Sequence, residues 1–161
     1  MSASGPERHL VVFSLHGEHY ALPVDAVREI VRYSPPTATS AASGLFQGMI
    51  NLHGKALAII DLSSRLGRRL EVSRATRIIV VEVRRGALGL IVDSVEGVWR
   101  VAREQIEPLP ARVAADLGKE IAAVGEHLIM LIDPEKALGS ALPRAPRRRR
   151  TAAPQSDNQI K

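Results

Sequence analysis

Two stretches of this chain, 68 residues apart, carry nearly the same pattern. Leu22-Pro-Val-Asp25-Ala-Val27 lies over Leu90-Ile-Val-Asp93-Ser-Val95 with four identities in six positions, and the same offset sets Phe13, Leu15 and Tyr20 on Val81, Val83 and Leu88. An offset of 72 then sets Ile60, Asp61, Leu66 and Gly67 on Ile132, Asp133, Leu138 and Gly139. Consecutive ungapped matches at nearly equal offsets point to a duplicated unit. Each unit reads as strand, turn, strand, Asp-x-Val corner, a further strand, then a strand and a short helix, which is enough for a small closed barrel with few exposed edges.

The elements of the unit follow from local chemistry. Short β-branched runs closed by turn residues recur at Leu10 to Leu15, Lys55 to Ile60, Arg77 to Val83, Leu88 to Val92 and Leu128 to Ile132, so the chain is mainly β. Hairpin turns are expected at His16-Gly17-Glu18 and Arg84-Arg85-Gly86, where glycine takes the positive φ of a tight connection. Two short helices are expected. One follows Asp61 and stops at Gly67; the other follows Asp133, has Pro134 at its first position, and stops near Gly139. Each aspartate can accept hydrogen bonds from the free N–H groups of the first turn.

At 161 residues the chain suits one compact domain of two subdomains and excludes two large domains. Cysteine is absent, which removes disulfides, thiolate metal sites and cysteine nucleophiles, and makes a cytoplasmic setting the expectation. The longest apolar runs, Ala56 to Ile60 and Leu128 to Ile132, have five residues against the ~20 of a membrane helix, so no membrane insertion is expected. The N-terminus, residues 1–7, lacks a signal-peptide core and reads as flexible.

Charge separates a fold from a tail. Residues 143–161 hold six basic side chains and one acid, a net of +5, while residues 1–142 hold 16 basic and 16 acidic side chains and balance. A nucleic-acid-binding domain carries its positive charge on the fold, so none is expected here. The tail, with Arg147 to Arg150 at its centre and almost no large apolar residue, reads as disordered. A second reading keeps a tail that binds nucleic acid or anionic membrane on a β-barrel scaffold. The aromatics, Phe13, Tyr20, Tyr33, Phe46 and Trp99, sit mostly in apolar pattern and offer few stacking platforms for bases.

Four blocks resemble the CheW-like coupling proteins of bacterial chemotaxis and related surface-sensing systems. They are Phe13-x-Leu-x-Gly17-x-x-Tyr20-Ala-Leu-Pro-Val-x-x-Val27-x-Glu29-Ile30, Gly48-Met-Ile-Asn-Leu-His-Gly54-Lys-Ala-Leu-Ala-Ile-Ile-Asp61-Leu, Gly89-Leu-Ile-Val-Asp93-Ser-Val95-x-x-Val98, and Ile129-Met-Leu-Ile-Asp133-x-x-Lys136-Ala-Leu138. The resemblance implies a CheW-like domain over residues 8–142, folded as two small five-stranded β-barrels on a shared apolar core. It also implies a non-catalytic adaptor between the cytoplasmic tip of a chemoreceptor and the regulatory domain of a CheA-type histidine kinase, recruited to receptor clusters. By the same resemblance Val27 and Glu29 lie on an exposed edge, Gly48 and His53 flank the central turn, and Gly89, Val95 and Val98 line a groove between the barrels that takes a receptor helix. The family's central turn usually carries arginine where this chain has His53, which removes a permanent charge and bidentate donation. Trp99 follows the groove strand and either floors the groove or fills core.

Other constellations have plainer readings. His16, Glu18 and His19 could converge on a metal, but a polar hairpin tip explains them equally, and no metal or cofactor is expected. His53 with Asp61 could be a base and its orienting carboxylate, yet a strand separates them and no nucleophile motif accompanies them; Asp61 reads as a cap. Asp25 and Asp93 read as turn or capping residues. No catalytic residue is assigned.

Overall fold

The computed structural model describes residues 7–39, 45–63, 68–110 and 118–138. The elements are β1 (Arg8–Leu15), β2 (Glu18–Pro23), a 3-10 turn (Val24–Ala26), β3 (Val27–Arg32), β4 (Phe46–Leu52), β5 (Lys55–Ile60), β6 (Arg77–Val83), β7 (Gly86–Val92), β8 (Ser94–Val101), a second 3-10 turn (Arg103–Gln105), β9 (Ile106–Pro108), β10 (Glu120–Val124), β11 (His127–Leu131) and α1 (Pro134–Ala137). Each apolar run read as a strand falls in one, except that Ile132 lies just past the end of β11. His16 and Gly17 join β1 to β2 with φ of 52° and 82°, the mirror-image turn whose twist matches the flanking strands.

The strands form two sheets. One has six strands in the order β8-β1-β2-β11-β10-β9, and the other has five in the order β3-β6-β7-β5-β4. The sixth strand, β9, is three residues long, and Glu107 in it pairs with Ile121. In the first half the same place is held by a single bridge between Thr37 and Met49.

This is the mainly β, two-subdomain fold expected, but each subdomain takes strands from both halves of the chain instead of from one repeat alone. The hairpin β1-β2 of the first half pairs with β8 and, in parallel, with β11 of the second. The hairpin β6-β7 of the second half pairs with β3 and, in parallel, with β5 of the first. The corner explains the exchange. Pro23 ends β2, and Val24, Ala26 and Val27 pack against the core that both sheets share, so the chain turns over that core and meets the open edge of the other hairpin. Neither hydrogen-bonded ladder closes into a ring among the described residues, since β8 and β9 remain edges of one sheet and β3 and β4 of the other.

Alternation along the strands then sorts side chains into three cores. Along β1, Val11, Phe13 and Leu15 enter the shared core, while Leu10 and Val12 enter the six-stranded sheet's own core with Ala21, Ile129 and Leu131. Along β6, Ile79, Val81 and Val83 face the shared core, and Ile78 and Val80 face that of the five-stranded sheet with Ile50, Ile59 and Ile91. Strands buried on both faces read as unbroken apolar runs, which is how these appear in the sequence.

Both expected aspartate caps form. Asp133 accepts from the N–H groups of Glu135 and Lys136 ahead of α1, and Asp61 accepts from Ser63 at 2.8 Å. Leu62 and Ser63 begin a 3-10 turn; the rest of the helix expected before Gly67, residues 64–67, lies outside the described residues, as do residues 1–6 and the tail.

Phe13 is fully buried in the shared core and stacks on Tyr20 at 6.0 Å between ring centroids. Truncating it leaves a cavity between the two sheets, so Phe13→Ala should cost about 3–5 kcal/mol in urea unfolding. Burial, and then the hydrogen bond from the Tyr20 hydroxyl to Glu18 at 2.8 Å, raise the Tyr20 phenol above its ordinary value. A raised native pKa makes the neutral phenol part of the fold. That stability is complete below about pH 10 and declines as pH rises above it. Thermal unfolding between neutral pH and pH 11 should therefore fall more steeply for the wild type than for Tyr20→Phe.

Candidate functional site

Strand β3 is an edge whose residues alternate between half-buried Val27, Glu29 and Val31 and exposed Arg28, Ile30 and Arg32. Its register against β6 shifts between Val27, opposite Val81, and Glu29, opposite Val80. A bulge of this kind turns the extra residue outward. Arg28 is that residue, and its guanidinium pairs with Glu82 of β6.

Glu29 meets His53 across the sheet. The β4–β5 turn places His53 and Gly54 at φ of 52° and 83°, and the Asn51 carboxamide oxygen accepts from the Gly54 N–H at 2.9 Å. This turn presents the imidazole to Glu29, with Nε2 to Oε1 at 3.2 Å. The strands β3 and β4 are opposite edges of the sheet, so the contact marks how far the sheet curls. Both side chains are reachable from solvent, at 69% exposure for His53 and 35% for Glu29. Two residues that the resemblance assigned separately thus form one exposed polar contact.

The glycines play other parts. Gly48 lies under the strand segment that crosses it: a Cβ there would stand 2.2 Å from the Thr37 carbonyl oxygen, and its φ is +140°. Gly89 was expected in the groove and is instead interior. It sits mid-β7, where a Cβ would meet Ile59 Cδ1 and Ile78 Cγ2 at 2.7 Å, so its missing side chain makes room for the five-stranded sheet's core.

Strand β8 is the matching edge of the six-stranded sheet. Val95 lies opposite Phe13 and packs half-buried on the shared core. Val98 lies opposite Val11, on the same face, but is 60% exposed. Trp99 points the other way and packs on the six-stranded sheet's own core with His127 beside it, so it fills core and does not floor a groove. Ile30 of β3, 41% exposed, is a residue that the sequence reading passed over. The signal was present: the 68-residue offset places Ile30 on Val98.

A family model described as the CheW-like domain matches residues 9–142. The chain is 35% identical over 134 residues to the probable chemotaxis protein CheW of Rhizobium etli, covering 80% of this chain and 86% of that one. It is 32% identical over 133 residues to the chemotaxis protein CheW of Bacillus subtilis, covering 80% and 85%. The crystal structure of the scaffolding protein TtCheW from Thermoanaerobacter tengcongensis superposes with a TM-score of 0.72 at 34% identity, over 80% of this chain and 90% of that chain. The chain belongs to the CheW-like family.

Elsewhere in this CheW-like domain the titratable groups diverge. The His16 ring bonds to the Ser63 hydroxyl at 2.9 Å, Glu18 accepts from Tyr20, and His19 packs edge-on against His127 at 4.9 Å, so the three do not converge. Ser63 is fully buried beside His16. Asp93 accepts from the His16 backbone N–H at 2.7 Å and so braces the β1–β2 turn, as a turn residue would. His53 and Asp61 serve separate contacts, the first on Glu29 and the second capping Ser63. No helix among the described residues is long and apolar enough to cross a membrane.

The two glycines give a stability test of their assignment to the framework. Gly89→Ala overpacks flexible side-chain ends and should cost about 1–3 kcal/mol in urea unfolding. Gly48→Ala collides with backbone at a positive φ and should cost more than Gly89→Ala in the same measurement.

Proposed function

We propose that this CheW-like protein is a chemotaxis adaptor that holds a chemoreceptor tip and the regulatory domain of a CheA-type histidine kinase together in the cytoplasm, and that it makes or breaks no bond itself. The observation that carries the reading is the exposed β3 edge, which offers Ile30 on one face and the Glu29–His53 contact on the other. A sheet edge that offers both an exposed apolar side chain and polar groups has the make-up of a recognition surface, with the apolar part supplying area and the charges supplying register. Glu29 is the charged member of the kinase contact. Val95 and Val98 on β8 form the apolar strip for a receptor helix, and burying such a strip gains about 25 cal/mol per Å² before the costs of association.

Family membership supports the adaptor reading. The tail-driven reading is not favoured, because the family match spans residues 9–142 and stops short of the arginine run.

The experiment is a quantitative pull-down with the full chain. The kinase regulatory domain from the same genome should be retained at 1:1 stoichiometry. Glu29→Lys, at a solvent-reachable position, should weaken that retention at least about tenfold while the circular dichroism spectrum stays unchanged. Retention of neither the kinase domain nor any receptor tip would sink the proposal.

A further inference from the structure

A groove of about 810 Å³ opens at one end of the six-stranded sheet. Its apolar floor includes Leu10, Val24, Leu131 and Pro134, and its charged residues are Glu7, Arg8, Asp25, Lys119, Glu120 and Asp133. Arg8 is tied to Glu120 by a two-pronged pair at 2.8 and 3.1 Å. The groove then carries the carboxylates of Glu7 and Asp25, and that of Asp133, which caps α1, against the single ammonium of Lys119. Among the described residues no side-chain partner holds Asp25.

The availability of Asp25 is a break in the internal symmetry. Its counterpart Asp93 accepts from the backbone N–H of His16. The amide equivalent to His16 N–H is that of Arg84, and it donates instead to Glu135 at 2.7 Å. Glu135 is the counterpart of Ser63 at the 72-residue offset, so its longer carboxylate has taken the amide that Asp25 would otherwise brace.

We propose that this groove is the seat of the chain's own arginine run, Arg147 to Arg150. Two further observations favour that occupant. The last described residue, Leu138, is one helical turn from Pro134 on the groove rim, with Leu138 N–H bonded to the Pro134 carbonyl at 2.9 Å. Eight residues lie between Leu138 and Arg147, a reach of at most about 30 Å, which is enough to bring the run back to the rim. The contact is electrostatic and tethered, so it is held by millimolar effective concentration and released by salt.

The absence of cysteine makes the test direct in the full chain. A nitroxide is attached through Ala152→Cys, and amide signals are read by NMR at low ionic strength. The amides of Arg8, Asp25, Glu120 and Leu131 should lose about half or more of their intensity. They should recover in 0.5 M salt and when Arg147 to Arg150 are all replaced by alanine. Broadening that survives the alanine replacement reflects the tether alone and overturns the proposal, as does broadening spread evenly over the surface. Broadening of unlabelled chains mixed with labelled ones would assign the contact to a second copy, and overturns it too. Asp25→Asn should give a partial release.

Discussion

The shared core between the two sheets is the constraint on which the rest depends. It takes side chains from both halves of the chain, among them Phe13, Leu15 and Leu22 from the first and Ile79, Leu88 and Leu90 from the second. Neither hairpin could bury that face by itself. Exchange of β3 and β8 between the halves then completes each sheet with strands from the other half, so the sheets stand or fall together. A structure joined in this way has little freedom to hinge, and the edges that it presents are held in fixed relation. That rigidity suits a chain whose proposed work is to position other molecules.

Much of this was legible in the sequence, and the reasons are local. The strands are unbroken apolar runs because they are buried on both faces. The caps at Asp61 and Asp133 and the turn at His16-Gly17 use residue types whose chemistry leaves few alternatives. The exchange of strands was not legible, because pairing partners far apart in sequence leave no mark on the pattern of either strand. A duplicated pattern is equally compatible with two closed units and with two units that trade strands. The pairing of β1 with β8 and of β3 with β6 decides between them.

The site divides in the same way. Glu29 could be placed outside the core, since a charge between Arg28 and Ile30 in an edge strand finds no room within. Its contact with His53 depends on the curl of the sheet, which brings the two side chains to 3.2 Å, and no spacing in the chain encodes that. Gly89 illustrates the opposite error. Its place in a motif says that a side chain is unwelcome, but not whether a partner or the protein's own Ile59 and Ile78 forbids it.

The duplication also explains how one framework offers two surfaces of different character. Val27 and Ile30 on β3 correspond to Val95 and Val98 on β8, so both edges carry the same apolar pair. The residues between and beside them differ. Arg28 and Glu29 correspond to Glu96 and Gly97, and His53-Gly54 corresponds to Gly125-Glu126 at the second offset. One edge is therefore crossed by the Glu29–His53 contact, while glycines stand at both of the equivalent positions on the other. Polar groups at fixed places discriminate among partners by leaving mismatched groups unpaired, whereas a bare apolar strip accepts a range of apolar side chains. From one duplicated edge the chain thus has a face set with polar groups and a bare apolar one, an asymmetry that the proposed coupling of two unlike partners would use.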